Sequence, residues 1–283
     1  MADLALSIKD FFKRDDVKSK FAELLGNRAN AYMSSVLSVV SQNAQLKNAK
    51  PESIYMCAMM AATLDLPINQ NLGFAYIIPY GQVASFQLGY KAFIQLAQRS
   101  GQFKTISASK ILEGQIIEAD PLKGYQFDFT KVGGIVIGYA AYFSLLNGFE
   151  KTIYMTVDEL KKHGKAFSQT YKKGGGLWET NFEAMAQKTV IKLLLSKFAP
   201  LSVEMQRAVI TDQAVINDAE TMDVDYIDNT PEEIDKEKER IELLIHDAKT
   251  EDELTNLRES VGDVTSEVGD LFNNKLTELK KKK

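Results

Sequence analysis

A β-hairpin pattern runs directly into an amphipathic helix between residues 73 and 101, and this pair restricts the folds open to the chain. A strand containing Tyr76 leads to a turn at Tyr80-Gly81, and a return strand follows. The helix begins near Leu88 and repeats apolar residues every three or four positions, which is typical of one buried face. The opposite face carries Lys91, Gln95, Gln98 and Arg99. Such a face suits a phosphate backbone, although an ordinary solvated helix face has the same pattern.

After residue 101 the apolar spacing changes to a period of two, which predicts strands. The predicted strands cover residues 105–111, 115–118, 125–129, 136–145 and 149–155. Asn147-Gly148 between the last two predicts a type I′ hairpin turn, in which both residues need positive φ. Short turns rather than crossover helices join these strands. We therefore expect a small, mainly antiparallel sheet and an α+β fold.

Helical patterns flank the predicted sheet on both sides. We predict N-terminal helices, a long core helix over 180–198 and a further helix over 202–216. A stretch near residue 218 is acidic and without periodicity, as in flexible linkers. The predicted organisation is a core (1–217), an acidic flexible linker (218–230) and a small helical C-terminal module (231–283).

Charge is distributed unevenly along the chain, although the formal net charge is only −4. Residues 1–200 contain 23 Lys+Arg and 16 Asp+Glu, whereas residues 201–283 contain 11 and 22. A basic body with an acidic tail indicates a module that binds a polyanion, followed by a regulatory or partner-binding segment.

Several absences in the sequence limit its chemistry. Cys57 is the only cysteine, so no disulfide can form within one chain, and we expect it to be a small buried hydrophobe. No GxxxxGK[ST] phosphate loop is present, so we expect no nucleotide cofactor. His163 and His246 are far apart in sequence, which argues against a Cys/His zinc site. No apolar run approaches the ~20 residues of a membrane span, and we expect a soluble cytoplasmic protein without cofactors.

Residues 165–179 interleave cations with aromatic side chains. The cations are Lys165, Lys172 and Lys173, and the aromatic residues are Phe167, Tyr171 and Trp178. Proteins that hold single-stranded nucleic acid combine backbone-tracking cations with aromatic platforms for bases. The alternative is a solvated loop with one buried tryptophan. Lys188 and Lys192 share one face of the helix that follows.

An enzyme is the main alternative to a binding protein. A metal-dependent nuclease could use the carboxylates Asp65, Glu113, Glu118 and Asp120, some of which could meet across the sheet. Their spacing matches no ordered nuclease motif, and carboxylates at strand ends are commonly solvated turn residues. We therefore expect no catalytic residues.

Three blocks of sequence resemble the RecT family of phage and prophage recombinases. They are LGFAYIIPYG, SFQLGYKAFIQLAQRSGQF and LWETNFEAMAQKTVIKLLLSKFAPLSVEMQRAV, and their order and spacing fit the family from about residue 20 to 215. Ala92 departs from the pattern, since glycine is expected after GYK. The acidic C-terminal part lies outside the match.

The resemblance implies a non-catalytic, ATP-independent protein of the bacterial cytoplasm that coats single-stranded DNA (ssDNA) as a ring or helical oligomer and pairs complementary strands. It also implies that the C-terminal module contacts a phage 5′-to-3′ exonuclease, the host single-strand binding protein, or both. A metal-dependent nuclease and a passive ssDNA-coating protein are the alternatives.

The resemblance and the charge pattern together predict a DNA groove between the hairpin-helix pair and residues 165–192. Because annealing requires free bases, contacts should favour phosphates, and sequence preference should be weak. The candidate DNA-binding residues are Tyr76, Lys91, Gln95, Arg99, Lys104, Lys110, Lys165, Phe167, Tyr171, Lys172, Lys173, Trp178, Lys188, Lys192 and Arg207. Simple solvation remains an alternative for any single lysine. We expect the apolar N-terminal helices to supply the subunit contacts.

Overall fold

The structure is a computed structural model that describes residues 7–172, 174–218, 221, 223–226, 244–246, 248, 250–261 and 266–281. The chain divides into two units, Met1–Asp228 and Asn229–Lys283, which we call the first and second units.

The first unit combines helices with short antiparallel sheets, which confirms the predicted α+β class. Its helices are α1 (Ile8–Phe11), α2 (Asp15–Leu25), α3 (Ala29–Gln42), α4 (Pro51–Thr63), α5 (Tyr90–Arg99), α6 (Val157–Phe167), α7 (Gln169–Lys172), α8 (Leu177–Thr180), α9 (Phe182–Phe198) and α10 (Val203–Thr211). Its strands are β1 (Ala75–Tyr80), β2 (Val83–Leu88), β3 (Phe103–Leu112), β4 (Ile116–Asp120), β5 (Gly124–Phe127), β6 (Val136–Leu145), β7 (Glu150–Thr156), β8 (Ala214–Asp218) and β9 (Asp223–Tyr226).

The predicted hairpin forms one half of a four-stranded sheet. Strands β1 and β2 pair antiparallel from Ala75 and Leu88 to Tyr80 and Val83, and Gly81 takes the positive φ that the tight turn needs. Strands β8 and β9 extend this sheet in the order β1-β2-β8-β9. The last two strands of the first unit therefore extend the sheet that the β1–β2 hairpin begins.

The second sheet has the order β3-β6-β7. Strands β4 and β5, which lie between β3 and β6 in the sequence, form a separate antiparallel pair. The β6–β7 hairpin lies where the sequence predicts it, but its predicted type I′ turn is wrong. Gly148 has positive φ, whereas Asn147 is not among the described residues that do. Leu145 N–H donates to the Phe149 carbonyl, so three residues form the loop, with glycine in the left-handed position.

Two further predictions need correction. The helix predicted over 202–216 ends at Thr211, because Gln213 takes a positive φ and the β-branched residues that follow join strand β8. The stretch predicted as a flexible linker, 218–230, contains strand β9, which pairs with β8. Most of the rest of that stretch lies outside the described residues.

The core of the first unit is built around α4 and α9. Helix α4 is apolar almost all round and packs on β2 and β8, which buries Cys57 as predicted. Helix α9 packs on α5 and on all three strands of the second sheet. The N-terminal helices bury Phe11, Phe21 and Val36 in the same core. These apolar side chains therefore pack inside their own chain, whereas we expected the N-terminal helices to supply subunit contacts.

The second unit contains helices α11 (Glu251–Val261) and α12 (Ser266–Lys281). Its described core consists of Ile245, Ala248, Leu254 and Phe272, with three leucines packed against it. Among the described helices of both units, none combines the length and apolar character needed to cross a membrane.

Gly89 provides a test of how the hairpin meets α5. A Cβ atom added at Gly89 would lie 2.1 Å from the Gly73 carbonyl oxygen, and backbone on both sides leaves no room to adjust. We expect Gly89→Ala to lower the free energy of unfolding by about 1–3 kcal/mol, as overpacking usually does. Chemical denaturation measures this loss. Gly175→Ala is the control, because its nearest neighbouring atom would be 3.9 Å away. Equal midpoints for the two variants would contradict the close approach.

Candidate nucleic-acid interface

A cleft of about 450 Å³ separates the hairpin-helix pair from α8 and the start of α9. The first wall consists of the ends of β1 and β2 and the first turn of α5, and the second wall consists of α8 and the first two turns of α9. Its lining residues are Gln70, Asn71, Gly73, Tyr76, Gln87, Leu88, Gly89, Tyr90, Lys91, Leu177, Asn181, Ala184, Met185 and Lys188. The described lining contains amides, phenols and two lysines but no carboxylate, which favours an anionic ligand.

Glycine residues shape the first wall. Gly89 lets the backbone approach Gly73 closely, and the Lys91 side chain lies beside Gly73, with its Cδ 3.6 Å from the position of an added Cβ. Gly89 is also the N-cap of α5 and has no side chain to cap it. The amino end of α5 therefore presents backbone N–H groups and the positive end of the helix dipole toward the cleft.

A buried carboxylate connects the two walls. Asp212 accepts hydrogen bonds from Lys188 Nζ and Lys192 Nζ, each at 2.8 Å, and from the backbone N–H of Leu88 at 2.9 Å. Lys188 and Lys192 lie one turn apart on α9, so both reach the same carboxylate. We call Asp212, Lys188 and Lys192 the Asp212 triad. Through Leu88, the triad holds the end of β2 against α9.

The electrostatics of the triad follow from burial and from its unequal numbers of charges. Burial alone would raise the pKa of Asp212, but the two lysines outweigh this effect and hold the pKa below its ordinary value. Burial lowers the pKa of Lys188, and Asp212 offsets part of that effect. Two lysine side chains therefore share one buried carboxyl group beneath the cleft.

Lys188 was predicted to contact the DNA backbone, yet its side chain is only 7% exposed and its ammonium is hydrogen-bonded to Asp212. Lys192 is 26% exposed and is bonded to the same carboxylate. In this arrangement their direct role is to position the walls. Sequence reasoning missed Asp212. The signal available was a lone carboxylate in the apolar run AVITDQAV, together with two lysines at i and i+4 in an apolar helix.

The predicted base-stacking residues pack against one another. Trp178 is 5% exposed, and its ring stacks on Tyr171 at a centroid distance of 5.8 Å. Phe182 meets the same indole edge-on, and Phe167 lies 4.4 Å from the His163 ring. This aromatic cluster holds the chain between α6 and α9 in place. A buried Trp178 is not available to a base in this conformation.

His163 shares this cluster. Burial, and then the nearby Lys192 and Lys197, lower the pKa of His163 to about 4. The imidazole is therefore neutral near pH 7 and acts as part of the packing.

The other predicted DNA-binding residues divide between the cleft and the surrounding surface. Tyr76 and Lys91 line the cleft. Gln95 lies one turn after Lys91 on the same side of α5, and its buried Oε1 has no hydrogen-bond partner in the described structure. Lys110 approaches Glu183 at 3.9 Å and so lies beside the second wall.

The remaining described cations lie outside the cleft lining. Arg99 donates to the carbonyls of Leu64 and Asp65 at 2.7 and 2.8 Å, so it caps the carboxyl end of α4. Lys104 lies near the start of β3, and Arg207 is half-buried on α10. Lys165 and Lys172 are exposed on α6 and α7, and Lys173 lies outside the described residues.

The carboxylates considered for a nuclease are not gathered into one site. Asp65 pairs with Arg28 at 2.8 Å, while Glu113, Glu118 and Asp120 lie on and beside β4. Within the described residues, no group of three or more His, Cys, Asp and Glu side chains is placed to hold a metal ion.

Comparison with known proteins gives consistent matches. The RecT family model matches residues 30–227, a span that includes the cleft lining and the Asp212 triad. The uncharacterized protein YqaK of Bacillus subtilis (strain 168) is 44% identical over 238 residues, covering 81% of this chain and 82% of that protein. Protein RecT of Escherichia coli (strain K12) is 28% identical over 189 residues, covering 59% of this chain and 65% of that protein.

The Asp212 triad can be tested through stability. Asp212→Asn removes the negative charge that the buried Lys188 and the part-buried Lys192 share, and we expect it to lower the free energy of unfolding by about 3–5 kcal/mol at neutral pH. Denaturant titration measures the loss. Asp16→Asn is the control, because its pair with Arg14 is exposed and should contribute less than about 1 kcal/mol.

Wild type and Asp212→Asn also test how the contribution of Asp212 to stability depends on pH. A carboxylate whose folded pKa is lowered stabilises the protein above its unfolded pKa, near the ordinary value of 3.8, and this contribution disappears as pH falls through the folded pKa. The stability gap between wild type and Asp212→Asn should therefore narrow in acid. A gap below about 1 kcal/mol at neutral pH would contradict the role of the triad.

Proposed function

The chain belongs to the RecT family of single-strand annealing recombination proteins, and we propose that it pairs complementary strands without ATP, as a ring or helical oligomer on ssDNA. Proteins of this family are annealing proteins rather than catalytic enzymes. The observation that carries the proposal is the carboxylate-free cleft between the hairpin-helix pair and α9.

The cleft supplies the groups that a phosphate backbone needs. Lys91 is exposed at the first wall, and the uncapped amino end of α5 lies beside it. Helix amino ends bind anions through backbone N–H groups and the helix dipole. Gln70, Asn71 and Asn181 add exposed side-chain amides that can donate to phosphate oxygens. Contacts of this kind position a strand but read little sequence.

The size of the cleft limits how much of a strand it encloses. A volume of about 450 Å³ is typical of a site for one small ligand, so a polynucleotide must continue over the surrounding surface. Lys110 beside Glu183 and Lys172 on α7 extend the second wall on the outside. We propose that these lysines, with Lys165, take the neighbouring phosphates. Direct contacts by Lys104, Arg207 and Lys173 remain predictions.

The packing of the aromatic residues favours annealing over base capture. Tyr171 and Trp178 stack on each other, so they offer no free platform. Tyr76 and Tyr90 line the cleft and are half-buried. A strand held mainly through its phosphates keeps its bases free for a complementary strand. The arrangement thus supports pairing rather than passive coating.

We assign annealing to the first unit and partner binding to the second. The Lys- and Arg-rich body, residues 1–200, lies in the first unit, and the second unit contains 10 Lys+Arg and 15 Asp+Glu. An acidic helical module suits contact with another protein rather than DNA. The proposed partners are a phage 5′-to-3′ exonuclease and the host single-strand binding protein.

An annealing assay with labelled complementary strands, in EDTA and without ATP, tests the proposal. Faster duplex formation in the presence of the protein is the expected result. Cleavage that requires added metal would favour a nuclease, and slower pairing would favour passive coating.

Lys91 tests whether the cleft is the DNA site. Lys91→Ala should weaken ssDNA binding equally for strands of different sequence, because phosphates rather than bases are contacted. The slope of log K against log salt should become shallower by about 0.7, the value for one lost phosphate contact on a single strand. Fluorescence anisotropy over a salt series measures both effects. Lys18→Ala on α2 is the control, since Lys18 does not line the cleft. Equal effects of the two substitutions, or an affinity independent of salt, would contradict the assignment.

Truncation tests the division of labour. Ending the chain after Asp228 retains β9, which pairs with β8 in the hairpin sheet. We expect this protein to anneal purified strands about as well as the full chain and to support less recombination in cells, because partner contacts are lost. A truncated protein that folds, as judged by circular dichroism, but does not anneal would show that the division is wrong.

A further inference from the structure

Exposed apolar side chains of the first unit gather at one end of the β3-β6-β7 sheet. The excursion between β3 and β6, residues 113–135, carries Ile117, Leu122, Phe129 and Val132, whose exposures run from 56% to 90%. We call residues 113–135 the hairpin end, because they contain the β4–β5 hairpin. Single exposed apolar residues are ordinary, but several on one short segment often mark an interaction surface.

The opposite end of the same sheet carries a second exposed apolar group. Leu146 and Phe149 lie in the β6–β7 loop, and Phe198 ends α9 close by. Lys151 Nζ lies 5.2 Å from the centre of the Phe198 ring, which places α9 at this loop. We call Leu146, Phe149, Lys151, Lys197 and Phe198 the turn end.

The register places these two surfaces far apart on one rigid element. Phe103 pairs with Leu145 at the turn end, and Leu112 pairs with Val136 at the hairpin end. Strands β3 and β6 each contain 10 residues, so the two ends lie about 30 Å apart. They cannot cover each other within one chain.

The two ends are complementary in charge. The hairpin end contains four carboxylates and two lysines, in Glu113, Glu118, Lys123 and their neighbours. The turn end contains Lys151 and Lys197, and the adjacent Glu150 accepts a hydrogen bond from Tyr142 at 2.7 Å. An apolar surface with net negative charge and an apolar surface with net positive charge therefore lie at opposite ends of the β3-β6-β7 sheet.

We propose that the hairpin end of one copy docks on the turn end of the next, and this docking rests on the proposed function as an oligomer on ssDNA. A contact between two different surfaces is head-to-tail, and it either closes into a ring or continues as a helix. The N-terminal helices bury Phe11, Phe21 and Val36 within their own chain, and Leu24 is the only large apolar side chain that is exposed in their described part. The two sheet ends, with several exposed apolar residues each, are therefore the better candidates.

Single substitutions at each end form the first test. Leu122→Asp and Leu146→Asp change side chains that are 90% and 70% exposed, so neither removes core packing. Sedimentation velocity on long oligo-dT should show at least a tenfold loss of assembly for each. Leu24→Asp, on the exposed side of α2, is the matched control and should assemble like wild type. A normal assembly for the first two variants, or a loss confined to Leu24→Asp, overturns the docking.

Charge exchange forms the second test and does not depend on either leucine. Glu113→Lys with Glu118→Lys makes the hairpin end basic, and Lys151→Glu with Lys197→Glu makes the turn end acidic. Each double variant alone should repel itself and fail to assemble. An equal mixture should regain assembly, because every contact then joins opposite charges. Failure of the mixture to assemble, with both variants folded by circular dichroism, overturns the docking.

Binding of a short oligonucleotide separates this inference from the proposed function. A strand too short for two copies should bind every variant with wild-type affinity, because the cleft is unchanged. Wild-type protein that neither binds nor anneals would defeat the proposed function itself. Variants that assemble normally while wild type anneals, or a Leu122→Asp protein that assembles but cannot anneal, overturn only the docking.

Discussion

The hydrogen bonds of one buried carboxylate hold the working parts of the first unit in place. Asp212 joins the end of β2, through the Leu88 N–H, to two lysines of α9. These elements form opposite walls of the cleft. A buried ion pair is weak evidence for net stability, since apolar residues of similar volume often stabilise a fold as well or better. Apolar residues would not, however, make the hydrogen bonds that tie the end of β2 to α9 across the cleft. We therefore interpret the triad as a feature that serves the cleft.

Helix α9 connects this site to the rest of the unit. Its first turns form the second wall, its middle carries the two lysines, and its last residue lies at the turn end. It packs on α5 and on the three strands of the second sheet. The proposed DNA site and one half of the proposed subunit contact are thus parts of one helix. A change in the tilt of α9 would therefore move both the second wall of the cleft and the turn end.

Local patterns in the sequence were sufficient to predict much of the fold. The β1–β2 hairpin, α5 and strands β3, β6 and β7 follow from periodicity that the native packing retains. The turn at Asn147 and the end of α10 were predicted wrongly, because tertiary contacts decide those backbone conformations. Strand β8 exists because Phe86 offers it a partner in β2, and a partner 128 positions away leaves no trace in a local window.

The candidate site was predicted in outline, and its chemistry was not. Periodicity and the family resemblance placed Tyr76 and Lys91 opposite the segment of Lys188. Which lysines face solvent depends on a buried partner, and Asp212 lies 24 positions beyond Lys188. The mixture of cations and aromatic residues in 165–179 is equally consistent with stacking on bases and with packing on each other. Only the three-dimensional positions of Tyr171, Trp178 and Phe182 distinguish the two.

The packing of Trp178 also has a spectroscopic consequence. It is the only tryptophan in the chain, and it lies inside the cluster that joins α6 to α9. Its emission is therefore an intrinsic optical label for the integrity of that junction, free of contributions from any second indole. A change in tryptophan fluorescence would therefore report a change in the packing between α6 and α9 rather than contact between Trp178 and a DNA base.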